Sequence, residues 1–118
     1  MFLLYGPNTN LGHNSIIFMI ECQVGYVMRV LERWCVGRDG RRDGGRVVLE
    51  VRADVMRRYN EQLARDLDTL SWGEGCTSWY KTASGKVTNN WAGFTVQYWW
   101  KMGRPDFRAF DERVIPPA

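Results

Sequence analysis

The sequence predicts a small α/β chain, and three observations carry that prediction. Phe2 to Tyr5 is an unbroken apolar run that stops at Gly6-Pro7. A polar loop with a second glycine follows, and a long apolar-periodic segment starts directly after it. Ala53 to Leu70 then repeats helical spacing with charged residues on its other faces.

Composition sets the bounds. A chain of 118 residues is one small domain in size and can bury roughly two thirds of its unfolded surface. With 45% hydrophobic and 25% charged residues it is neither disordered nor collagen-like, although six tryptophans and twelve glycines are many for this length. The net charge of +3 has one location: Gly37 to Arg58 holds seven arginines against Asp39, Asp43, Glu50 and Asp54. Such a patch can face phosphate, and more often it is a solvated loop and helix face.

Cys22, Cys35 and Cys76 are odd in number and lack a Cys-x-x-Cys pair, which suggests neither a disulfide framework nor a metal site. A reducing cytoplasm is the simplest setting. Met1 to Tyr5 is too short for a signal-peptide core, and Glu21, Gln23, Gly25 and Arg29 interrupt Ile16 to Leu31 as a membrane span.

Taken in order, Phe2 to Tyr5 has the pattern of a strand buried on both faces. No partner strand lies near it in sequence, which suggests that the chain is part of something larger. From Asn14 or Ser15 to Trp34, the residues Ile17, Ile20, Val24, Val27, Leu31 and Trp34 trace one helix face. Asn14 and Ser15 are N-cap types, and Gly37 is a plausible stop. Ile16, Phe18 and Met19 add apolar surface, so the front of this helix is expected to be enclosed all round. Residues 37–46 read as an exposed connector and Val47 to Val51 as a short strand, with the second helix after it. In the tail, Thr77 to Lys81 reads as extended, Ala83 to Lys86 and Asn89 to Gly93 as turns, and Pro105 and Pro116-Pro117 as marks of an irregular end. Phe94 to Met102 fits strand and helix templates equally.

The loop from Gly6 to Ser15 has the first claim to function. It places backbone amides and small polar side chains at a helix start, where unpaired N–H groups and the macrodipole favour negative charge. The residues here resemble a known family, the flavin-dependent monooxygenases of the Baeyer–Villiger and flavin-containing type, in their C-terminal segment. The resemblance rests on the stretch from Phe2 to Ile16, on Leu49-Glu50-Val51-Arg52 opening the second helix, on Cys76-Thr77-Ser78-Trp79-Tyr80, and on Trp91-Ala92-Gly93-Phe94-Thr95. It implies an α/β fragment of a Rossmann-type FAD domain. Residues 1–36 would be the terminal strand, flavin-edge loop and long helix, 37–46 the connector, and 47–118 a second amphipathic helix with an irregular aromatic-rich tail.

The cofactor-binding residues so implied are Gly6, Pro7, Asn8, Thr9, Asn10, Leu11, His13, Asn14, Ser15 and Ile16, with backbone amides near Asn14 to Ile17 as donors to the flavin edge. The implied enzyme reduces FAD with NADPH and transfers one oxygen atom through a C4a-peroxyflavin to a ketone or soft nucleophile. Departures are large. The Gly-x-Gly-x-x-Gly fingerprint is absent, and Gly37, Gly40, Gly44 and Gly45 lack its spacing. The family's Phe-x-Gly-x-x-x-His-x-x-x-Trp motif is absent too, so no catalytic residue is assigned and the chain alone is expected to be an inactive fragment sharing FAD with an N-terminal part.

Plainer roles stand beside these. His13 is a lone histidine without a placed acid or nucleophile, suited to capping or packing. Asn8, Thr9, Asn10 and Asn14 are turn and cap types as well as flavin contacts. Cys22 reads as a small buried hydrophobe, and Glu21 and Gln23 as a polar stripe. Trp72, Trp79, Trp91, Trp99 and Trp100 either line a substrate channel or pack an aromatic cluster. With Lys81, Lys86, Lys101, Arg104 and Arg108 they also raise a nucleic-acid-binding alternative, weakened by Asp106, Asp111 and Glu112 among them. A non-catalytic module that docks on a partner is the remaining alternative, and it predicts exposed apolar surface.

Overall fold

A computed structural model describes residues 1–12, 14–36, 46–70 and 79–115. The elements run α1 (Ile16–Val36), β1 (Arg46–Val51), α2 (Ala53–Asp68), α3 (Thr95–Met102), a 3₁₀ turn (Phe107–Ala109) and β2 (Phe110–Ile115). The two strands pair antiparallel, from Arg46 opposite Ile115 to Val51 opposite Phe110. Arg52 N–H extends the pairing to the Ala109 carbonyl at 2.9 Å, which hands the chain from strand to helix. His13, Gly37 to Gly45, Trp72, Cys76 to Ser78 and Pro116-Pro117 lie outside the described residues.

The expected first strand is not formed. Phe2, Leu3 and Leu4 are exposed and irregular, at 45%, 68% and 45%. A parallel strand needs a laddered neighbour, and the sheet formed by the described residues uses β1 and β2 instead.

Helix α1 begins where the cap residues placed it. Ser15 Oγ accepts from Phe18 N–H at 3.4 Å, and its carbonyl accepts from Met19 N–H at 3.2 Å. Its buried face differs from the expected one. Met19, Gln23 and Val30 are buried, whereas Ile17 and Val24 are 70% and 42% exposed. The helix is apolar on two adjoining sides, and α3 with Leu11 covers the side that carries Met19. The front of α1 is therefore open rather than enclosed, and Gln23 belongs to the core rather than to a polar stripe.

Helix α2 buries Leu63 and Leu67 of its expected stripe against Val87, with Ala92 packed beside them. Phe94 to Met102 resolves as helix. Gln97 Oε1 accepts from Phe94 N–H at 3.0 Å, and Gly103 N–H closes the end on the Trp99 carbonyl at 2.9 Å. Of the alternating set Phe94, Val96, Tyr98 and Trp100, only Tyr98 is buried. A strand face would have buried them together. The tail expected to be irregular thus contains α3 and β2, while the turn at Ala83 to Lys86 forms as read, with Gly85 at φ 83° and Lys81 bridged to Val87.

Tyr98 joins the two halves of the chain. It is 1% exposed, packs with Leu11 and Met19, and meets Trp91 edge-on at 5.2 Å between ring centroids. Burial pushes its phenol up to about 12, outweighing the opposing effect of the neighbouring Gln23 amide. The unfolded phenol, near 10, ionises first, so this contribution is complete below about pH 10 and is lost as pH rises toward 12. Urea melts between pH 8 and 11.5 are expected to lose part of roughly 2–3 kcal/mol, and Tyr98→Phe is expected to flatten the decline.

The molecule is elongated, 54 × 27 × 20 Å, with a radius of gyration of 17.0 Å. A compact chain of this length would have about 13.5 Å. Exposed Ile16, Ile17, Val24 and Met28 leave one apolar side of α1 uncovered by the described residues.

Candidate functional site

The loop entering α1 is held by its own polar side chains. Tyr5 and Asn8 both adopt left-handed backbone, at φ 53° and 56°, a conformation that costs a non-glycine residue about 1 kcal/mol or more. Partners hold each in place. Tyr5 N–H donates to Gln23 Oε1 at 2.6 Å. Asn8 Nδ2 donates to the Val87 and Asn90 carbonyls, each at 3.1 Å, while its N–H donates to the Thr88 carbonyl at 2.9 Å.

Asn10 continues this attachment. It is buried in a parallel bridge with Asn90: its N–H donates to the Asn89 carbonyl at 3.1 Å, and its carbonyl accepts from Trp91 N–H at 2.7 Å. Thr9 Oγ1 donates to the Gly6 carbonyl at 2.6 Å, and Leu11 sits in the core. Pro7 is exposed, and Gly6 packs close to Leu3. Asn14 Oδ1 accepts from Ser15 N–H at 2.7 Å, and Asn14 Nδ2 donates to Thr95 Oγ1 at the start of α3. The side chains of Asn8, Thr9 and Asn14 thus all bond within the chain.

The open donors are on the backbone. With Ser15 N–H and Phe18 N–H capped, the amides of Ile16 and Ile17 have no acceptor among the described residues. Both side chains beside them are exposed. Amides without an acceptor among the described residues, at the positive end of a 21-residue helix and next to bare aliphatic surface, favour a hydrogen-bond acceptor or negative charge. Ile16 is the residue of the expected set that carries such an amide.

Burial raises the Cys22 thiol, and the Glu21 carboxylate adds to the rise, so no activated thiolate forms. Among the described residues no group of His, Cys, Asp or Glu could hold a metal ion, and no helix is long and apolar enough to cross a membrane.

The sequence reading missed the receiving side of the loop. Asn90 is 2% exposed, its carbonyl accepts from Asn8 Nδ2 while its neighbours Asn89 and Trp91 bond the Asn10 backbone, and no hydrogen-bond partner for its amide group is found among the described residues. The Asn89-Asn90-Trp91 turn marked the place, but nothing local indicated that Asn8 and Asn10 would pair with it. Among the described residues the tryptophans of that set form no buried cluster: Trp79, Trp99 and Trp100 are exposed at 79%, 54% and 54%, and Trp91 is half-buried.

Comparison with known proteins gives a consistent set of relatives. The chain is 42% identical over 97 residues to a FAD-binding monooxygenase of Aspergillus niger, covering 81% of this chain and 16% of the relative. It is 45% identical over 100 residues to a Baeyer–Villiger monooxygenase of Pseudomonas aeruginosa, covering 83% and 18% respectively. A Baeyer–Villiger monooxygenase of Streptomyces coelicolor is 36% identical over 114 residues, 96% of this chain and 20% of the relative. The chain thus spans a fifth or less of the length of these curated relatives. No family model and no solved structure matches it.

Proposed function

Because this chain is homologous to a segment of the FAD-binding and Baeyer–Villiger monooxygenases, we propose that it supplies one wall of the flavin site in an oxygen-transferring flavoprotein. The observation that carries this reading is the start of α1, where the Ile16 and Ile17 amides have no acceptor among the described residues and lie beside exposed aliphatic side chains. Reduced flavin carries negative charge at its pyrimidine edge, and a helix N-terminus stabilises such charge by about 0.3–2 kcal/mol.

Each described residue of the expected set has a part. The amides of Ile16 and Ile17 face the ring edge, whereas the Ser15 amide is taken by Asn14 Oδ1. Asn8, Thr9 and Asn10 fix the height of the loop, and Gly6 and Pro7 turn the chain into it. Leu11 anchors the loop in the core, while Asn14 borders the helix start. When bound, FAD would supply the redox chemistry: with two electrons from NADPH and one molecule of dioxygen, one oxygen atom would pass to a ketone or soft nucleophile and the other would leave as water. This chain holds the ring edge and shields one side of it.

The remaining walls come from outside these 118 residues. The uncovered side of α1 and the apolar run Phe2 to Leu4 are the surfaces that would receive them. The same exposure would serve a docking module without catalysis, and homology to monooxygenases favours the flavin-site reading.

A chimera provides the test. With this chain in place of the homologous segment of the Pseudomonas relative, the protein is expected to retain FAD and oxidise NADPH. The 118-residue chain alone is expected to elute colourless from excess FAD and to leave NADPH unchanged. A folded chimera that loses flavin, or a yellow isolated chain that consumes NADPH, overturns the proposal.

A further inference from the structure

Between α2 and α3 lies a cavity of about 730 Å³, within the range of small-molecule sites. Tyr59, Trp91 and Trp100 supply aromatic walls, Lys101 and Arg104 two cations, and Asp66 one acid. The Lys101 ammonium lies 4.6 Å from the Tyr59 ring centroid and 5.3 Å from that of Trp91. The Arg104 guanidinium stacks on Trp100 at 3.3 Å.

Neither cation forms an ion pair among the described residues. The one acid, Asp66, accepts through Oδ1 from Gln62 Nε2 at 2.7 Å, also on the cavity wall. Desolvation lowers the Lys101 pKa, and the Asp66 carboxylate only partly opposes it. The cavity therefore holds two cations against one carboxylate, beside three flat rings. A guanidinium stacked on an indole keeps its in-plane N–H edge available for a two-point contact with a carboxylate.

We propose that the α2–α3 cavity binds a planar aromatic carboxylate, its ring against Trp91 and Trp100 and its carboxylate between Lys101 and Arg104. The aromatic part matches the walls, and one negative charge matches the excess of one cation over Asp66. Small aliphatic anions lack the first feature and neutral aromatics the second. This site is formed by the chain alone and does not depend on flavin.

The test uses 2-naphthoate as probe, with 2-naphthalenemethanol and butyrate as partial mimics, and follows the tryptophan indole N–H signals of the full 118-residue chain by NMR. Naphthoate is expected to shift Trp91 and Trp100 saturably, while each mimic binds at least about tenfold more weakly, the loss of one charge-assisted or stacking contact. Arg104→Gln, an exposed change, is expected to weaken naphthoate about tenfold with an unchanged melt, and Lys101→Gln similarly. Equal affinity for the neutral alcohol or for butyrate, shifts confined to other tryptophans, or undiminished affinity in a folded Arg104→Gln chain would each overturn the assignment.

Discussion

Tyr98→Ala is expected to cost about 3–5 kcal/mol, a large share of the ~5–15 kcal/mol that holds a whole domain together. The side chain is almost fully enclosed by Leu11 and Met19, with Trp91 edge-on to its ring. Removing it opens a cavity at the one place where the N-terminal loop, α1 and α3 meet, and a chain this elongated has little other core with which to compensate. The measurement is a urea melt followed by circular dichroism. Tyr98→Phe provides the control: it keeps the ring and drops a hydroxyl without a good hydrogen bond, so it should stay within about 1 kcal/mol of the parent at pH 7. If Tyr98→Ala also stayed within that margin, Tyr98 would not be the joint between α1 and α3.

Local signals in the sequence were enough to place α1 and α2. Ser15 marked the start of α1, the Ala53 to Leu70 stripe marked α2, and the valine-rich run marked β1, because caps and periodicity act over a few residues. Pairing acts over the whole chain and was less visible. Phe2 to Tyr5 looked like a strand because apolar runs are common to buried strands, yet no neighbour among the described residues offers it a ladder. β2 carries no such signal, because Phe-Asp-Glu-Arg-Val-Ile has three charged residues in a row instead of an alternation, and it gains its partners only from β1, about sixty positions away. The apolar side of α1 was recognised, but which flank would be covered depends on α3, whose own state the pattern left undecided. The loop was legible as a loop. Its attachment to Asn90 was not, since it depends on Asn8 finding carbonyls some eighty residues distant.

Replacing Asn8 is expected to separate its two duties. Its left-handed backbone at φ 56° favours glycine, and its amide donates to two carbonyls of the 87–90 segment. Asn8→Gly keeps the backbone conformation and removes both donated bonds, a loss of about 1–3 kcal/mol. Asn8→Ala adds the left-handed penalty of about 1 kcal/mol, so the order of stability should be Asn, then Gly, then Ala. Denaturant melts of the three chains measure this directly. The same variants in the chimera with the Pseudomonas relative bear on the flavin wall. With Asn8 as a clamp, flavin retention should fall in the order of the melts and recover on cooling, because the Ile16 and Ile17 amides move only as the loop loosens. Retention lost at an unchanged melt would instead assign the Asn8 amide to the ring itself. The geometry favours the clamp, because both Nδ2 protons are already donated within the chain.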